Sequence, residues 1–336
     1  MVVRMPNWIG DAVMATPVLK DLKSHFKHAK ITAMCQPNIA LLLKNCPYID
    51  DTLIYKKPSG WIHRGTHLEI GDELKRAKFD LGLLLTNSFS SAWLFFSGNV
   101  KNRIGYRGNL RSFLLTNAVP LPKDLEKQHL VTTYKMLLEP LGIAVSKNLP
   151  ELFVDEEESL SALNLLKTLG IDPRKNTIIG INPGAAYGSA KCWLPERFKA
   201  LNKRLLEDPN VYLLYFGDQA GIPLVNDICQ GMNERVINLA GKTTLRSLMA
   251  LIQKCSVLVT NDSGPMHIAS ALGTKLLALF GSTSDIKTGP FGNSKVIHKH
   301  ADCSPCYKRV CPIDFRCMTA ISVNEVCQEI YKLLKN

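Results

Sequence analysis

Short apolar runs alternate with segments of helical periodicity along almost the whole chain. The runs are continuous and rich in β-branched residues, which is typical of strands buried on both faces of a parallel sheet. They lie at residues 2–4, 31–34, 52–55, 81–85 and around 119, and again at 177–181, 211–216, 236–238, 257–260 and 275–280. Apolar residues spaced three and four apart predict helices in the intervals. The alternation predicts an α/β protein with two doubly wound, parallel-sheet domains.

A polar break at residues 171–177 separates the two series of elements. It predicts a first domain at residues 1–170 and a second at residues 171–322. The remaining segment, residues 323–336, has the spacing of an amphipathic terminal helix over 323–334.

The segment 257–273 reads as a buried strand, a polar elbow and a helix. Asp262 or Ser263 is placed to cap the helix, and Gly264 allows close approach of a backbone or ligand. Pro265 suits the first helical position, and Gly273 is placed to end the helix. Free backbone N–H groups at such an elbow form an anion site, for which phosphate is the usual occupant. An ordinary strand–helix unit without a ligand explains the same pattern.

Composition and charge narrow the classes of protein. Of the 336 residues 46% are hydrophobic and 21% are charged, which predicts folded cores rather than disorder. The net charge of +12 suggests an anionic partner, although a solvated basic surface would give the same value. The start resembles no signal peptide, and no apolar run approaches the ~20 residues of a membrane span. We therefore expect a cytosolic or peripheral protein with reduced cysteines.

The first strand leads into a glycine-bearing turn in which Asp11 follows Gly10. A helix is expected from Ala12, with a possible restart at Thr16-Pro17. Ligands of doubly wound sheets bind beyond the carboxyl ends of the strands, so Asp11 is a candidate general base. Its position also suits a helix N-cap, which is the favoured alternative when the residue is considered alone.

The strands of the second domain end in further candidate sites. The loop at residues 182–193 is rich in small residues and places Lys191 where it could contact a phosphate. Gly217, Asp218 and Gln219 follow the next strand and could contact a ribose, although Gly-Asp is common in ordinary turns. Residues 239–244 superficially suggest a P-loop but lack its upstream glycine, so we reject a Walker motif.

Two clusters have more than one interpretation. Arginines suited to carboxylates or phosphates stand at 64, 103, 107 and 111, with Lys101 nearby, and a solvated basic surface explains them equally well. Four cysteines stand at 303, 306, 311 and 317. Their spacing is tight for a zinc ribbon, so reduced thiols in a rigid loop are favoured over zinc. No hydrolase GxSxG, zinc HExxH or dinucleotide GxGxxG motif occurs.

These motifs together resemble one family. Residues 4–19, Arg-Met-Pro-Asn-Trp-Ile-Gly-Asp-Ala-Val-Met-Ala-Thr-Pro-Val-Leu, are closely similar to the start of lipopolysaccharide heptosyltransferases. Residues 182–185 with 191–196, residues 260–267, and residues 103–107 with 111–116 fit the same family. The cysteine cluster at 303–312 resembles the heptosyltransferase II branch in particular. The resemblance covers essentially the whole chain.

The resemblance implies a GT-B fold, in which two Rossmann-like domains face a deep cleft. The first domain would bind the Kdo-lipid A inner core, and the second would bind ADP-L-glycero-D-manno-heptose. The terminal helix would pack back on the first domain. The implied reaction inverts the anomeric centre and needs neither metal nor cofactor.

The implied function is transfer of heptose to the heptosyl-Kdo2-lipid A inner core of lipopolysaccharide. Heptosyltransferase I or another ADP-sugar core transferase is one alternative, and a non-catalytic nucleotide- or zinc-binding protein is another. The resemblance also implies a cytoplasmic protein, peripheral at the inner face of the inner membrane. The positive charge would then match an anionic glycolipid and an anionic membrane face, with no nucleic acid as partner.

The resemblance also assigns roles to residues. Asp11 would be the general base, and Lys191 would neutralise the leaving diphosphate. Donor-binding residues would be Gly184, Lys191, Gly217, Asp218, Gln219, Lys242, Thr243, Thr244, Asp262, Ser263, Gly264 and His267. Acceptor-binding residues would be Asn7, Gly10, Arg64, Arg103 and Arg107. Ala186 and Tyr187 stand where a related enzyme has threonines, which places the phosphate contacts of that loop in question.

Overall fold

The computed structural model of the protein describes residues 1–56 and 64–335, apart from the side chains of residues 64–68. The chain divides into two units, Met1–Phe153 and Val154–Asn336. Each unit is built on a six-stranded sheet, so the predicted α/β class with two sheets is confirmed. The division lies earlier in the chain than the predicted boundary at residue 170. In the described part of the chain, no helix is both long and apolar enough to span a bilayer.

In the first unit all strand pairs are parallel and the strand order is β3-β2-β1-β4-β5-β6. The strands are β1 Val2–Arg4, β2 Thr32–Cys35, β3 Asp51–Ile54, β4 Leu81–Leu84, β5 Asn102–Tyr106 and β6 Asn117–Val119. The helices are α1 Ile9–His25, α2 Pro37–Leu42, α3 Arg64–Ala77, α4 Phe89–Ser97 and α5 Leu130–Met136. Because the pairing is parallel, all the carboxyl ends of these strands lie at one edge of the sheet.

The second unit repeats the design with the strand order β12-β11-β10-β7-β8-β9, again with parallel pairs only. Its strands are β7 Thr177–Asn182, β8 Val211–Tyr215, β9 Val236–Asn238, β10 Val257–Asn261, β11 Leu276–Phe280 and β12 Ser294–His298. Its helices are α6 Glu156–Thr168, α7 Pro195–Leu205, α8 Ile222–Cys229, α9 Leu245–Lys254, α10 Gly264–Ala271, α11 Asp285–Thr288, α12 Arg316–Thr319 and α13 Val323–Lys335.

Helix α1 differs from its prediction at both its start and its middle. It begins at Ile9 and runs through Pro17 without a restart. Proline has no N–H for the carbonyl four residues earlier, but the Thr16 hydroxyl donates to that carbonyl, on Val13, at 2.8 Å. Asp11 therefore lies in the first turn of a continuous helix, and the N-cap residue is Trp8.

Helix α6 explains why the unit boundary precedes the predicted one. Asp155 and Glu158 form a capping box at its start, with each side chain bonded to the other residue's backbone N–H. Glu158 also accepts a hydrogen bond at 2.8 Å from Nε of Arg246, a residue of α9 that is only 8% exposed. This buried charged contact attaches α6 to the second sheet unit.

The terminal helix α13 packs on the core of the second unit. Its buried residues Val326 and Ile330 belong to the hydrophobic core of the second unit. The helix packs on α7 and on strands β10 and β11, all of the same unit. The apolar face of α13 is therefore covered within the second unit, and the packing on the first domain that the resemblance implies stays a prediction.

Candidate active site

Adjacent strands β7 and β10 bring two of the predicted loops together. Asn182, the last residue of β7, is the register partner of Thr260 in β10. Its side-chain amide donates to the Gly184 carbonyl at 3.0 Å and to the Ser263 hydroxyl at 3.2 Å. In the reverse direction, the amide of Asn261 donates to the Pro183 carbonyl at 2.6 Å. These bonds fix the loop after β7 against the elbow after β10.

A buried ion pair stands at this junction. Nζ of Lys191 lies 2.5 Å from Oδ2 of Asp262, and the two side chains are 13% and 5% exposed. The same carboxylate oxygen accepts a hydrogen bond from the Thr283 hydroxyl at 2.6 Å. The pairing gives Lys191 a fixed position, and it occupies the Asp262 carboxylate, which was expected to cap a helix or bind the donor.

The start of α10 carries no side-chain cap. Ser263 occupies the N-cap position, but its hydroxyl lies within hydrogen-bond distance of Thr260 and Asn182 and not of a helical N–H. The expected cap by Ser263 or Asp262 is therefore wrong. A helix start without a cap keeps backbone N–H groups and the positive end of the helix dipole available to an anion. His267 lies in the same helix and is 6% exposed.

Tyr187 and Arg309 join this site, although sequence reasoning assigned them no role. Nζ of Lys191 lies 4.8 Å from the centroid of the Tyr187 ring, and the guanidinium carbon of Arg309 lies 5.4 Å from it. Gly188 has φ of +155°, and a Cβ there would lie 2.3 Å from the Arg309 carbonyl oxygen. The close approach requires glycine and brings a second cation to the loop that contains Lys191.

The other donor candidates follow β8 and β9, which pair with each other. Gly241 N–H donates to the Gly217 carbonyl at 2.9 Å, which joins the two loops. Asp218 caps its own turn through Gly221 N–H at 2.8 Å, and Gln219 donates to the Gly241 carbonyl at 3.2 Å. Lys242 donates to the Asn238 carbonyl, and Thr244 caps α9 through Ser247 N–H. Thr243 is partly exposed between them.

All the donor candidates therefore share one edge of the second sheet. They follow the carboxyl ends of β7, β8, β9 and β10, which are neighbours in the sheet. Thr283 follows the next strand, β11, and belongs to the same edge. It was missed, although the Ser-Thr-Ser run at 282–284 is a polar strand exit of the same kind. Whether these residues bind a donor stays a prediction.

At the corresponding edge of the first sheet, Asn7 and Gly10 lie beside Asp11. The Arg4 guanidinium donates to the side-chain oxygen of Asn7 at 2.7 Å and to the Met5 carbonyl at 2.6 Å. Burial lowers the pKa of Arg4 to about 10. Burial and, to a lesser extent, the negative charge of Asp11 raise the pKa of Tyr134, a residue of α5. The Asp11 carboxylate therefore lies near α5.

The arginine candidates are not alike. Arg103 donates from Nε to the Leu114 carbonyl at 2.7 Å and from a terminal nitrogen to the Val100 carbonyl at 2.5 Å. It lies near the start of β5, so its place in the strand is away from the carboxyl edge expected for an acceptor. Arg107 directly follows β5, is exposed, and donates to the Ala118 carbonyl at 2.7 Å. The side chain of Arg64 lies outside the described residues.

The four late cysteines meet around one small cavity. Cys303, Cys306, Cys311 and Cys317 line a space of about 100 Å³ together with Ser282 and Arg316. Burial, and then the other three sulfurs, raises the pKa of Cys317. All ten cysteines of the chain are free thiols in this structure. The preference for reduced thiols over zinc stays a prediction, although within the described residues no three of these sulfurs lie within 4.8 Å of one another.

Comparisons with known proteins give one consistent result. The family profile described as glycosyltransferase family 9 (heptosyltransferase) matches residues 67–315. The lipopolysaccharide heptosyltransferase 2 of Salmonella typhimurium is 31% identical over 295 residues, which cover 86% of this chain and 84% of that protein. The lipooligosaccharide heptosyltransferase 2 of Campylobacter jejuni is 28% identical over 99% of this chain and 98% of its own length.

Solved structures agree with these relatives. The structure of the E. coli ADP-heptose lipopolysaccharide heptosyltransferase II superimposes with a TM-score of 0.84 at 27% identity. The match covers 99% of this chain and 98% of that one. The GT-B class predicted from the resemblance is confirmed, with one Rossmann-like sheet in each unit. The chain belongs to glycosyltransferase family 9, the heptosyltransferase family.

Proposed function

We propose that this protein transfers L-glycero-D-manno-heptose from ADP-heptose to the heptosyl-Kdo2-lipid A inner core of lipopolysaccharide. The observation that carries the proposal is the run of relatives named heptosyltransferase 2, which match the chain over most of its length. The carboxyl edge of the second sheet supports it independently. That edge has an uncapped helix start and a lysine, the features that a nucleotide diphosphate requires.

The donor would bind at that edge of the second unit. Its diphosphate would lie against the uncapped start of α10, with two cations nearby: Lys191 of the neighbouring loop, and Arg309, which packs on that loop. The adenosine would lie toward the paired loops after β8 and β9, where Asp218, Gln219 and Lys242 stand exposed. Gly184 and Gly217 would let the backbone approach the ligand closely.

The reaction is a displacement at the anomeric carbon of heptose. A hydroxyl oxygen of the acceptor forms the new glycosidic bond while the bond between the anomeric carbon and the ADP oxygen breaks. Asp11 would take the hydroxyl proton as general base, and ADP would leave with the bonding electrons. Lys191 and the α10 N–H groups would stabilise the negative charge that grows on the diphosphate. Attack opposite the leaving group inverts the anomeric configuration.

The acceptor is anionic, and the first unit carries the cations proposed to meet it. Arg107 stands at the carboxyl edge of the first sheet, as do Asn7 and Gly10. The net charge of +12 favours a polyanionic glycolipid and supports work at the cytoplasmic face of the inner membrane. Arg103 would act by bracing the loop after β5, because its guanidinium is already bonded to carbonyl oxygens of that segment.

Acceptor choice tests the proposal directly. Purified protein is incubated with ADP-heptose and with Kdo2-lipid A carrying either no heptose or one heptose, and products are identified by mass spectrometry. We expect one heptose to be added only to the acceptor that already carries one. Addition to the acceptor without heptose would instead identify a heptosyltransferase I activity, and no addition to either would refute the proposal.

The base assignment has its own test. We expect Asp11→Ala to reduce turnover by at least ~100-fold, the usual scale of general-base catalysis, while ADP affinity stays unchanged. Asp11→Asn is the matched variant, because it keeps the size of the side chain and removes only the proton acceptor. Wild-type turnover by Asp11→Asn would show that another group takes the proton.

A further inference from the structure

Helix α4 exposes an aromatic stripe to solvent. Phe89, Trp93 and Phe96 stand at positions i, i+4 and i+7, so they share one face of the helix. Their exposed fractions are 42%, 48% and 46%. The opposite face is also apolar and is buried through Ala92 and Phe95. A nine-residue helix of a folded unit needs only one apolar face, so the outward stripe is not explained by the core.

The segment after β5 extends this surface. Leu110 and Phe113 are 87% and 75% exposed, which is unusual for large apolar side chains in the same place. The Phe89 ring lies 6.4 Å from the Phe113 ring and stacks on Trp93 at the same distance between centroids. We call the set Phe89, Trp93, Phe96, Leu110 and Phe113 the aromatic patch.

The patch is held outward by a rigid support. Arg111 is fully buried under it and donates to the carbonyls of Tyr106 and Thr86 and to the side-chain oxygen of Asn87. Leu110 itself has φ of +54°, a conformation that costs a leucine about 1 kcal/mol or more. Leu110 thus remains in solvent in a backbone conformation that is unfavourable for leucine.

The patch lies beside three arginines, Arg103, Arg107 and Arg111. Arg103 packs over the Phe96 ring, with its guanidinium carbon 5.4 Å from the centroid. The hydrogen bonds of Arg103, Arg107 and Arg111 go to carbonyl or amide oxygens, and within the described ranges none of the three forms an ion pair. The guanidinium groups therefore have hydrogen-bond partners, but no described carboxylate neutralises their positive charge.

We propose that the aromatic patch is the membrane-docking surface of this protein and that its partner is an anionic lipid bilayer. Aromatic side chains partition into the interfacial region of a bilayer, and unpaired arginines beside them favour an anionic leaflet. The same charges disfavour a second copy of the chain on this face, because two patches would bring like charges together. Charge complementarity thus selects the bilayer.

This inference rests on the proposed function for its biological setting. The acceptor would be a glycolipid whose sugars project from a membrane. The start of α4 and the loop after β5 lie at the carboxyl edge of the first sheet, as does the start of α1 with Asp11. Docking through the patch would hold this edge close to the lipid headgroups.

Vesicle binding tests the surface without any transfer reaction. Sedimentation with phosphatidylcholine vesicles containing phosphatidylglycerol measures the affinity of the wild type and of Leu110→Ser/Phe113→Ser. We expect the double variant to bind about 30-fold more weakly, because two large apolar side chains no longer enter the interface. The control is Val145→Ser/Leu149→Ser, which removes two apolar side chains of the same unit that are 42% and 46% exposed. It should bind like the wild type.

Two further measurements identify the contact. Trp93→Phe should bind like the wild type but lose most of the fluorescence change on binding, because Trp93 is the patch tryptophan. Arg107→Ala should weaken binding to anionic vesicles about fivefold and reduce its salt dependence. Equal affinity of the wild type and Leu110→Ser/Phe113→Ser, with both folded by circular dichroism, would overturn the proposal. So would no vesicle binding by the wild type, or its self-association through the patch.

Failure of the membrane-docking proposal can be distinguished from failure of the proposed function. The vesicles contain no lipopolysaccharide, so vesicle binding is measured whether or not heptose is transferred. If Leu110→Ser/Phe113→Ser transfers heptose normally to a deacylated, water-soluble acceptor but poorly to one embedded in vesicles, both proposals are supported. Normal transfer to both acceptors would refute the docking surface alone.

Discussion

Replacing Lys191 by methionine tests how much the buried ion pair with Asp262 contributes to the candidate site of the second unit. The substitution keeps much of the side-chain volume and removes the ammonium group 2.5 Å from Asp262. At that separation two unit charges attract by about 7 kcal/mol at an effective dielectric constant of 20, and several kcal/mol per ion of lost hydration offset most of it. The ion pair therefore contributes little net free energy to stability. Removing the ammonium group nevertheless leaves the Asp262 carboxylate buried without its cation.

That unpaired carboxylate sets the expected magnitude. Breaking a buried pair usually costs 3–5 kcal/mol. Here the Thr283 hydroxyl still donates to Asp262, so we expect Lys191→Met to lower the free energy of unfolding by about 3 kcal/mol. In the double variant Lys191→Met/Asp262→Asn both charges are gone, and about 2 kcal/mol of the loss should return.

The assay must report on the second unit alone. Trp193 is 1% exposed there and contacts Phe198 edge-on at 5.0 Å between ring centroids. Replacing the other three tryptophans by phenylalanine leaves Trp193 as the only tryptophan, so tryptophan fluorescence then follows urea unfolding of the second unit. Calorimetry with ADP on the same proteins should show at least ~10-fold weaker binding by Lys191→Met, because the proposed charged contact to the diphosphate would be lost.

An exposed ion pair supplies the control. Nζ of Lys199 lies 2.8 Å from Asp227 on the surface of the same unit, and Lys199→Met should change stability by less than about 1 kcal/mol. A coupling energy between Lys191 and Asp262 below ~0.5 kcal/mol would refute the reasoning, since the two side chains would then act independently.

Three further predictions follow from other parts of the chain. Gly188→Ala should displace the loop and weaken ADP binding, because the added Cβ meets the Arg309 carbonyl at 2.3 Å; calorimetry that showed unchanged affinity would contradict it. The hydrogen bond from Lys23 is the main cause that holds the pKa of Asp50 below 3.8, so its contribution, under ~1 kcal/mol, is present above that pH and lost as pH falls through the lower folded value. Asp50→Asn should therefore flatten acid unfolding curves in that range. Metal analysis of the purified protein should find no stoichiometric zinc if the four late cysteines are plain thiols, whereas one zinc per chain would assign them as its ligands.

Much of the fold could be predicted because its strands carry a simple signal. β7 and β10 are apolar runs buried on both faces, and such runs are read directly from sequence. Parallel order then places the residues after neighbouring strands at one edge, which is why the scattered donor candidates meet there. β5 and β12 were missed because each mixes charged or polar residues with few apolar ones, as strands near the side of a sheet can.

The details of the site depend on partners that sequence does not reveal. Asp262 and Ser263 have the residue types of a helix cap, but one pairs with Lys191 and the other faces Asn182. Both choices depend on a loop 71 or more positions away in the chain. Pro17 likewise suggested a helix boundary, but the hydroxyl of Thr16 fills the missing bond and the helix continues.

The attachment of α6 bears on how the second unit could be produced alone. A fragment beginning at residue 171 would lack α6 and with it Glu158. The face of α9 that α6 covers would be exposed, and Arg246, 8% exposed in the intact chain, would lose the Glu158 carboxylate. A fragment beginning at residue 154 keeps the helix, its capping box and that contact. The Glu158 carboxylate therefore has two roles: it caps the start of α6, and through Arg246 it attaches that helix to the second unit, which consequently begins before α6.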